Sequence, residues 1–404
     1  MEKRKVVKGT TLVLWLVISS LLMTGCLGSR EIDDLAMVMA VGLDKGKEPG
    51  TIKVTAQIAR PGDVRGQTGA PTAGTGQPIW TASAEGRSIF EAIRNLARYS
   101  SRRVFWAHNQ VIVINEEVAR EGVSEIIDFF SRNHELRMRT WVVVTEDEAS
   151  HLITTKTGLE VIPGVSMDKL FRYSEIVAEA PRTDMRTLQA AYLSRTTHPV
   201  LARVSPKNRQ ISAKANGEFG SNPQVELSGT AVFNRDKMVG WLSTKESHGL
   251  LWFVEHVESR VITLPCAGQR ERSSTLEMKN AKFQVKPVYE KGKVEFDVRV
   301  KAMIDLVELG CPDVEDQYVW MQQAEKEAAD LLRGEIESVL EAAQKRYHVD
   351  FLELGKVFEN HYPAEWRQMA QSWDDAFEKA QVRVTVEANI NSPVLLHKAT
   401  KSRK

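Results

Sequence analysis

The chain has 404 residues, 42% hydrophobic and 26% charged, the balance of a soluble globular protein with room for two or three domains. Lys and Arg number 54 against 53 Asp and Glu, a formal charge of +1, which argues against a nucleic-acid partner. Lys3, Arg4, Lys5 and Lys8 against Glu2 put +3 into the first 25 residues, so the remainder carries −2.

Residues 1–25 read as a lipoprotein signal peptide. The four basic residues form its positive region, and Leu12 to Met23 is an apolar run interrupted by Ser19 and Ser20. The run is shorter than the roughly 20 apolar residues of a membrane-spanning helix. Thr24 and Gly25 are small enough to thread a peptidase site, and the thiol of Cys26 can then take a diacylglyceryl thioether. Met23 stands where Leu is usual in such a lipobox, with Leu22 beside it. Each buried methylene of an acyl chain contributes about 0.8 kcal/mol, so two chains on Cys26 anchor the protein stably. Lipidation of Cys26 places the chain on the outer face of the cell membrane. Cys266 and Cys311 would then lie on the oxidising side, where a bridge is permitted, although two cysteines are weak evidence for one. Their spacing fits no metal motif.

Met37 to Leu43 is continuously apolar and predicts a buried strand. Ile52, Val54, Ala56 and Ile58 alternate with polar residues, the period of a half-buried strand, and Asp44 to Gly50 predicts the hairpin between them. Residues 61–78, rich in Gly, Pro and Thr, read as a mobile loop. A helix follows with Ile89, Ile93, Leu96 and Ala97 on one face. Arg94, Arg98, Arg102 and Arg103 cluster towards its C-terminal end, where cations suit the helix dipole and could also face phosphate or lipid headgroups. Val111 to Ile114 and Thr140 to Val144 predict strands flanking a helix that buries Val123, Ile126, Ile127 and Phe130. The order suggests a mixed sheet with helices packed on it.

From 151 to 224 the signals are irregular and punctuated by Pro163, Pro181, Pro199, Pro206 and Pro223, so this stretch reads partly as a connection. Gly229 to Leu242 predicts two short strands around Asn234 to Lys237, and Lys245 to Glu258 a helix carrying Leu250, Trp252, Phe253 and Val257. Val294 to Ile304 alternates strictly, and Lys291-Gly292 marks a turn back to a strand at 283–289, which predicts a long ribbon. A helix is expected over 315–347, with Leu332, Ile336, Val339, Leu340 and Ala343 on one face, and a final strand over 382–390. The fold class is α+β, with two to three mixed domains of central sheets flanked by helices. The expected divisions are 26–200, a middle or connecting region at 201–272, and a C-terminal α/β domain at 273–404.

Chemistry-bearing patterns are sparse. No G-x-S-x-G elbow occurs, and the surroundings of Ser83, Ser166, Ser194 and Ser228 suggest no activated nucleophile. His248 and His256 are eight residues apart, too far to share a metal without ligands from elsewhere. Trp241, Trp252, Trp320, Trp366 and Trp373 read as core residues rather than a ligand cage. No catalytic, metal or cofactor site is expected.

Four segments in order nevertheless resemble one family. They are Gly25 to Asp44 (GCLGSREIDDLAMVMAVGLD), Trp106 to Arg137, Gly229 to Trp252, and Tyr362-Pro363 with Trp366, Trp373 and the strand at 382–390. Together they are similar to the Ger(x)C family, lipoprotein C subunits of spore nutrient germinant receptors. Leu27-Gly28 departs from the family's aromatic and acidic pair, and the loop at 61–78 is long. The resemblance implies a non-enzymatic subunit on the outer leaflet of the spore inner membrane, with A and B membrane subunits as partners and mixed α/β domains. It transfers one functional position, Cys26. The alternative reading is a solute-binding lipoprotein of an importer, which would usually show regular βα alternation and two similar lobes.

Overall fold

The structure, a computed structural model, describes residues 34–60, 79–155, 162–213, 219–255, 259–266, 269–311 and 317–391, together with Trp15, Glu160 and Val257. Cys26, His256 and the segment 61–78 lie outside the described residues. The chain enters on β1 (Leu35–Lys45) and β2 (Ile52–Ala59), followed by β3 (Ile79–Gly86), α1 (Ile89–Ala97), β4 (Arg103–Phe105) and β5 (Val111–Asn115). Then come α2 (Glu116–Glu121), α3 (Ser124–Arg132), β6 (Trp141–Thr145), α4 (Ala149–Leu152), α5 (Pro163–Val177) and α6 (Met185–Leu193). Strands β7 (Val200–Ala213), β8 (Phe219–Asn234) and β9 (Lys237–Leu242) complete a sheet of order β3-β2-β1-β5-β6-β7-β8-β9, with β4 paired to the start of β1.

This first sheet is mixed. β1, β5, β6 and β7 run parallel, whereas β2, β3, β8 and β9 join by antiparallel pairing. Its central strands are buried on both faces, as parallel strands are when helices cover each side. Ile112, Ile114, Val142 and Val144 pack on one face with Leu96, Ile126 and Phe130. Val111, Val113 and Val143 pack on the other with Leu152, Met167 and Phe171. A register shift between Val38 and Ala40 explains why Val38 and Val41 share a face although three positions apart. β2 was expected to be half-buried, and here the structure differs: Thr55 and Gln57 are fully buried as well. Their polar atoms are paired there, Thr55 with the Ser83 hydroxyl at 2.9 Å and Gln57 with the Ile153 carbonyl and the Gly164 N–H.

The second sheet follows α7 (Thr244–Val254). It consists of β10 (Arg260–Cys266), β11 (Gln269–Glu290), β12 (Lys293–Glu308) and β13 (Gln381–Asn391), in that order. Lys291 and Gly292 both have positive φ, 51° and 80°, the geometry of a two-residue hairpin turn that matches strand twist. Between β12 and β13 the chain crosses over through α8 (Gln317–Glu341), a π-helical turn at Ala342–Tyr347, α9 (Leu354–His361), α10 (Pro363–Met369) and α11 (Trp373–Lys379). Such a crossover lets β12 and β13 pair in parallel. Val298, Val300, Ala302 and Ile304 bury the alternate face of β12 against Leu332, Ile336 and Val339 of α8. The opposite face alternates with it, and Met303 and Val307 stand exposed there.

The fold is thus α+β, with one sheet covered on both faces and one covered on a single face. Residues 201–272, expected as a middle or connecting region, divide between the sheets: β7–β9 extend the first, and β10 opens the second. Val200, Val232 and Leu242 of the first sheet share a core cluster with the second sheet's residues, so a continuous apolar layer joins the two.

Cys266 and Cys311 form a disulfide with Cα atoms 5.5 Å apart. The loop it closes spans 45 residues, so its removal should destabilise the mature chain by about 2–4 kcal/mol. Denaturant melts of Cys266→Ser with Cys311→Ser, compared with the oxidised parent, measure this. A difference that vanishes when the parent is reduced assigns it to the bridge.

Candidate functional site

The sequence-derived candidates do not come together. Cys26 and His256 lie outside the described residues. Ser83, Ser194 and Ser228 pair hydroxyl to hydroxyl with Thr55, Thr196 and Ser205, and Ser166 sits in the first turn of α5. Trp252, Trp366 and Trp373 are buried in the second core, Trp320 packs against it, and Trp241 lies beneath the Arg203 guanidinium at 5.0 Å. Among the described residues no group of His, Cys, Asp and Glu side chains is arranged to hold a metal ion. Nor is any helix there long and apolar enough to cross a membrane.

What the fold does assemble is a charged network where the two sheets meet. Ser243 and Glu246 close a capping box at the start of α7, which fixes the helix so that His248 points into the junction. Gly249 lies against the Glu335 carbonyl, and a Cβ there would come within 2.2 Å of that oxygen, so only glycine lets α7 approach α8 this closely. Arg260 opens the inward-facing set of β10 and grips Glu335 with two bonds of 2.5 Å, Nη1 to Oε2 and Nη2 to Oε1. The His248 Nδ1 stands 2.9 Å from Arg260 Nη2, and its Nε2 stands 3.3 Å from Glu179 of the first domain. Arg260 and Glu335 are both buried.

Electrostatics follow from this enclosure. Burial pushes the Glu335 carboxyl upward, but hydrogen bonds from Arg260 and His248 outweigh it and hold the group below the usual carboxylate range. The His248 hydrogen bond likewise lowers Glu179. For His248, burial acts downward, yet the two carboxylates prevail and raise it above its ordinary 6.5. Nearby, burial raises Glu255, which accepts the Arg182 backbone N–H at 2.8 Å.

A second polar node holds the other side of the junction. The carboxylate of Asp350 accepts from the N–H groups of Leu352, Leu354 and Gly355 and from the Trp373 indole at 2.9 Å. Burial raises it to about 6 against the pull of those donors. Its backbone carbonyl accepts the His198 N–H, and Gly355 packs on the Thr196 carbonyl, tying the node to the segment that enters β7. The Tyr347 hydroxyl donates to the Trp241 carbonyl at 2.8 Å, and Arg346 meets Glu246 at 2.9 Å. These groups join the two sheets through buried ion pairs and hydrogen bonds. Their chemistry is that of a mechanical coupling, with no nucleophile placed beside a base within it.

None of Glu179, Arg260, Glu335 or Asp350 was singled out by sequence. One signal was available: Glu335 interrupts the apolar stripe of Leu332, Ile336 and Val339, and Asp350 sits between buried Val349 and Phe351. An acid on a core face announces a buried partner.

Of the predicted arginines, Arg94 and Arg103 line a groove of about 730 Å³ between α1, α3 and β4, together with Phe90, Ile93, Phe129 and Arg132. Arg94 stacks over Phe90 at 4.9 Å, Arg103 meets Glu135 at 3.2 Å and Arg132 meets Asp128 at 2.7 Å.

Fold and junction define a two-sheet α+β protein whose halves are fastened by buried polar contacts. Residues 28–206 match the family described as "Spore germination protein N-terminal domain", and residues 228–393 match "Spore germination B3/ GerAC like, C-terminal". The chain belongs to the Ger(x)C family of spore germination proteins. It is 25% identical over 384 residues to "Spore germination protein KC" of Bacillus subtilis (strain 168), covering 92% of each chain. It is 28% identical over 290 residues to "Putative spore germination protein YfkR" of the same organism, covering 70% of this chain and 71% of that one. Its fold matches "Crystal Structure of the GerBC protein" with a TM-score of 0.56 at 19% identity, covering 87% of this chain and 96% of that one.

Proposed function

We propose that this chain is the lipid-anchored, non-enzymatic C subunit of a spore nutrient germinant receptor. In this reading it is held on the outer face of the spore inner membrane by diacylglycerol on Cys26, and it assembles with membrane-embedded A and B subunits. The observation that carries the reading is the match of both family domains, in order, along 28–206 and 228–393. The lipobox ending at Cys26 supports the anchor. The described polar clusters, which join the two sheets, suit a subunit that acts by assembly. Confinement at a membrane raises the effective concentration of partners without new contacts.

Two measurements test it. Mass spectrometry of the mature N-terminus should find an acylated Cys26, and Cys26→Ala should release the protein from membranes; an unmodified Cys26, or cleavage elsewhere, contradicts the anchor. Purification of the tagged lipoprotein from solubilised spore membranes should bring down the A or B subunit. Recovery with an importer permease instead would support a solute-binding role.

A further inference from the structure

β1, β4, β5 and β6 run parallel and so enter the first sheet from one end, β1 and β4 beginning there side by side and β5 and β6 beginning level with Ala40, five residues farther along β1. The same end receives the chain from Cys26. Leu35 pairs directly with Arg103 and lies nine positions after Cys26, a reach of at most about 30 Å. Helices α1 and α3 return from the far end and finish here, bringing Arg94, Arg98 and Arg132 beside Arg102 and Arg103. Arg103 pairs with Glu135 and Arg132 with Asp128, and exposed Arg137 and Arg139 add further positive charge where the chain enters β6. Arg98 and Arg102 are exposed and take part in no ion pair among the described residues. One aromatic side chain stands out from the same end, Tyr99 at 52% exposure, just past the C-terminus of α1. The whole chain is nearly neutral, so this concentration of arginine is local.

We propose that this end of the first sheet is a membrane-facing surface for the headgroups of anionic phospholipids, with Arg94, Arg98 and Arg102 meeting phosphate and Tyr99 entering the interface. The orientation rests on the reading of Cys26 as the anchor, since a tether of this length holds this end, rather than the second sheet, against the bilayer. Arginine offers forked donors to phosphate, and aromatic rings favour the headgroup layer. Each basic residue near an anionic surface adds to binding, and salt screens the effect. The surface would fix the angle at which the two sheets stand above the membrane.

The test uses the mature full-length chain carrying Cys26→Ala, so that its outcome does not depend on acylation, and vesicles of phosphatidylglycerol or of phosphatidylcholine. The chain should cosediment with the anionic vesicles at low salt, more weakly with the zwitterionic ones, and release at high salt. Arg94→Glu, Arg98→Glu and Arg102→Glu together should lower partitioning onto phosphatidylglycerol by at least about tenfold. The melting temperature should be retained, because all three side chains are exposed. Arg299→Glu with Lys301→Glu, exposed on the second sheet, should leave partitioning unchanged. Equal partitioning onto both vesicles, or partitioning that ignores the triple reversal, overturns the proposal. An unmodified Cys26 in the natural protein would instead overturn the anchor and leave this result standing on its own.

Discussion

Arg260→Ala should destabilise the protein by about 3–5 kcal/mol, because it leaves the Glu335 carboxylate buried with only His248 for a partner. Urea melts of the mature chain measure this. The double variant Arg260→Met with Glu335→Leu should lose less than Arg260→Ala alone, since it removes the buried charge together with its partner. A loss below about 1 kcal/mol for the single variant would mean that water reaches Glu335. The pH dependence has a definite sign. Glu335 and Glu179 are lowered when folded, so their contribution is present above their ordinary 4.5 and falls away as pH drops through the folded values. His248 is raised, so its contribution is complete below 6.5 and is lost as pH rises through its folded value. The network is therefore complete between about 4.5 and 6.5, and because Arg260 repels protonated His248, the cost of Arg260→Ala should be larger above the folded value of His248, where Glu335 is left with no cation.

Asp350→Ala is the second large effect, again about 3–5 kcal/mol, because three backbone N–H groups and the Trp373 indole lose their acceptor in a fully buried site. Asp350→Asn should recover only part of this, since an amide NH₂ would face donors. Trp373 fluorescence reports the site directly, and an unshifted spectrum in Asp350→Ala would show that the indole does not depend on the carboxylate. The folded carboxyl is raised from 3.8 to about 6, so its protonation favours the fold below 3.8, and that contribution is lost as pH rises through about 6. Wild-type stability should therefore fall between about 3.8 and 6 through Asp350, a decline that should disappear in Asp350→Ala, and fall separately above 6.5 through His248.

Which parts of this architecture could be read from sequence follows from how each is encoded. The β11–β12 ribbon is written locally, in the alternation of Val294 to Ile304 and the turn at Lys291-Gly292. β3 was not predicted, because its IWTASAEG is mostly small residues that pack against α1 without a strong apolar period. β7 and the first part of β8 read from sequence as connection because Pro206 and Pro223 act as punctuation, although in the ladder Pro206 pairs with Val225, and only the end of β8 from Gly229 is legible as a strand. β10 escaped notice because its inward set begins with Arg260, whose partner Glu335 is 75 residues away. The junction is long-range throughout: His248 meets Glu179 across 69 residues, from a stretch that looked irregular. Such pairings are made by the topology, and no window of the sequence holds both partners. The proposed lipidation at Cys26 is the reverse case, read entirely from the run of residues 1–26.

The measurement that bears most directly on the account is germination of spores from a strain lacking this gene and any second copy of the receptor. The account predicts normal vegetative growth and a blunted or absent response to one class of small nutrients, restored by the intact gene but poorly by Cys26→Ala. Normal germination in every nutrient class would contradict it.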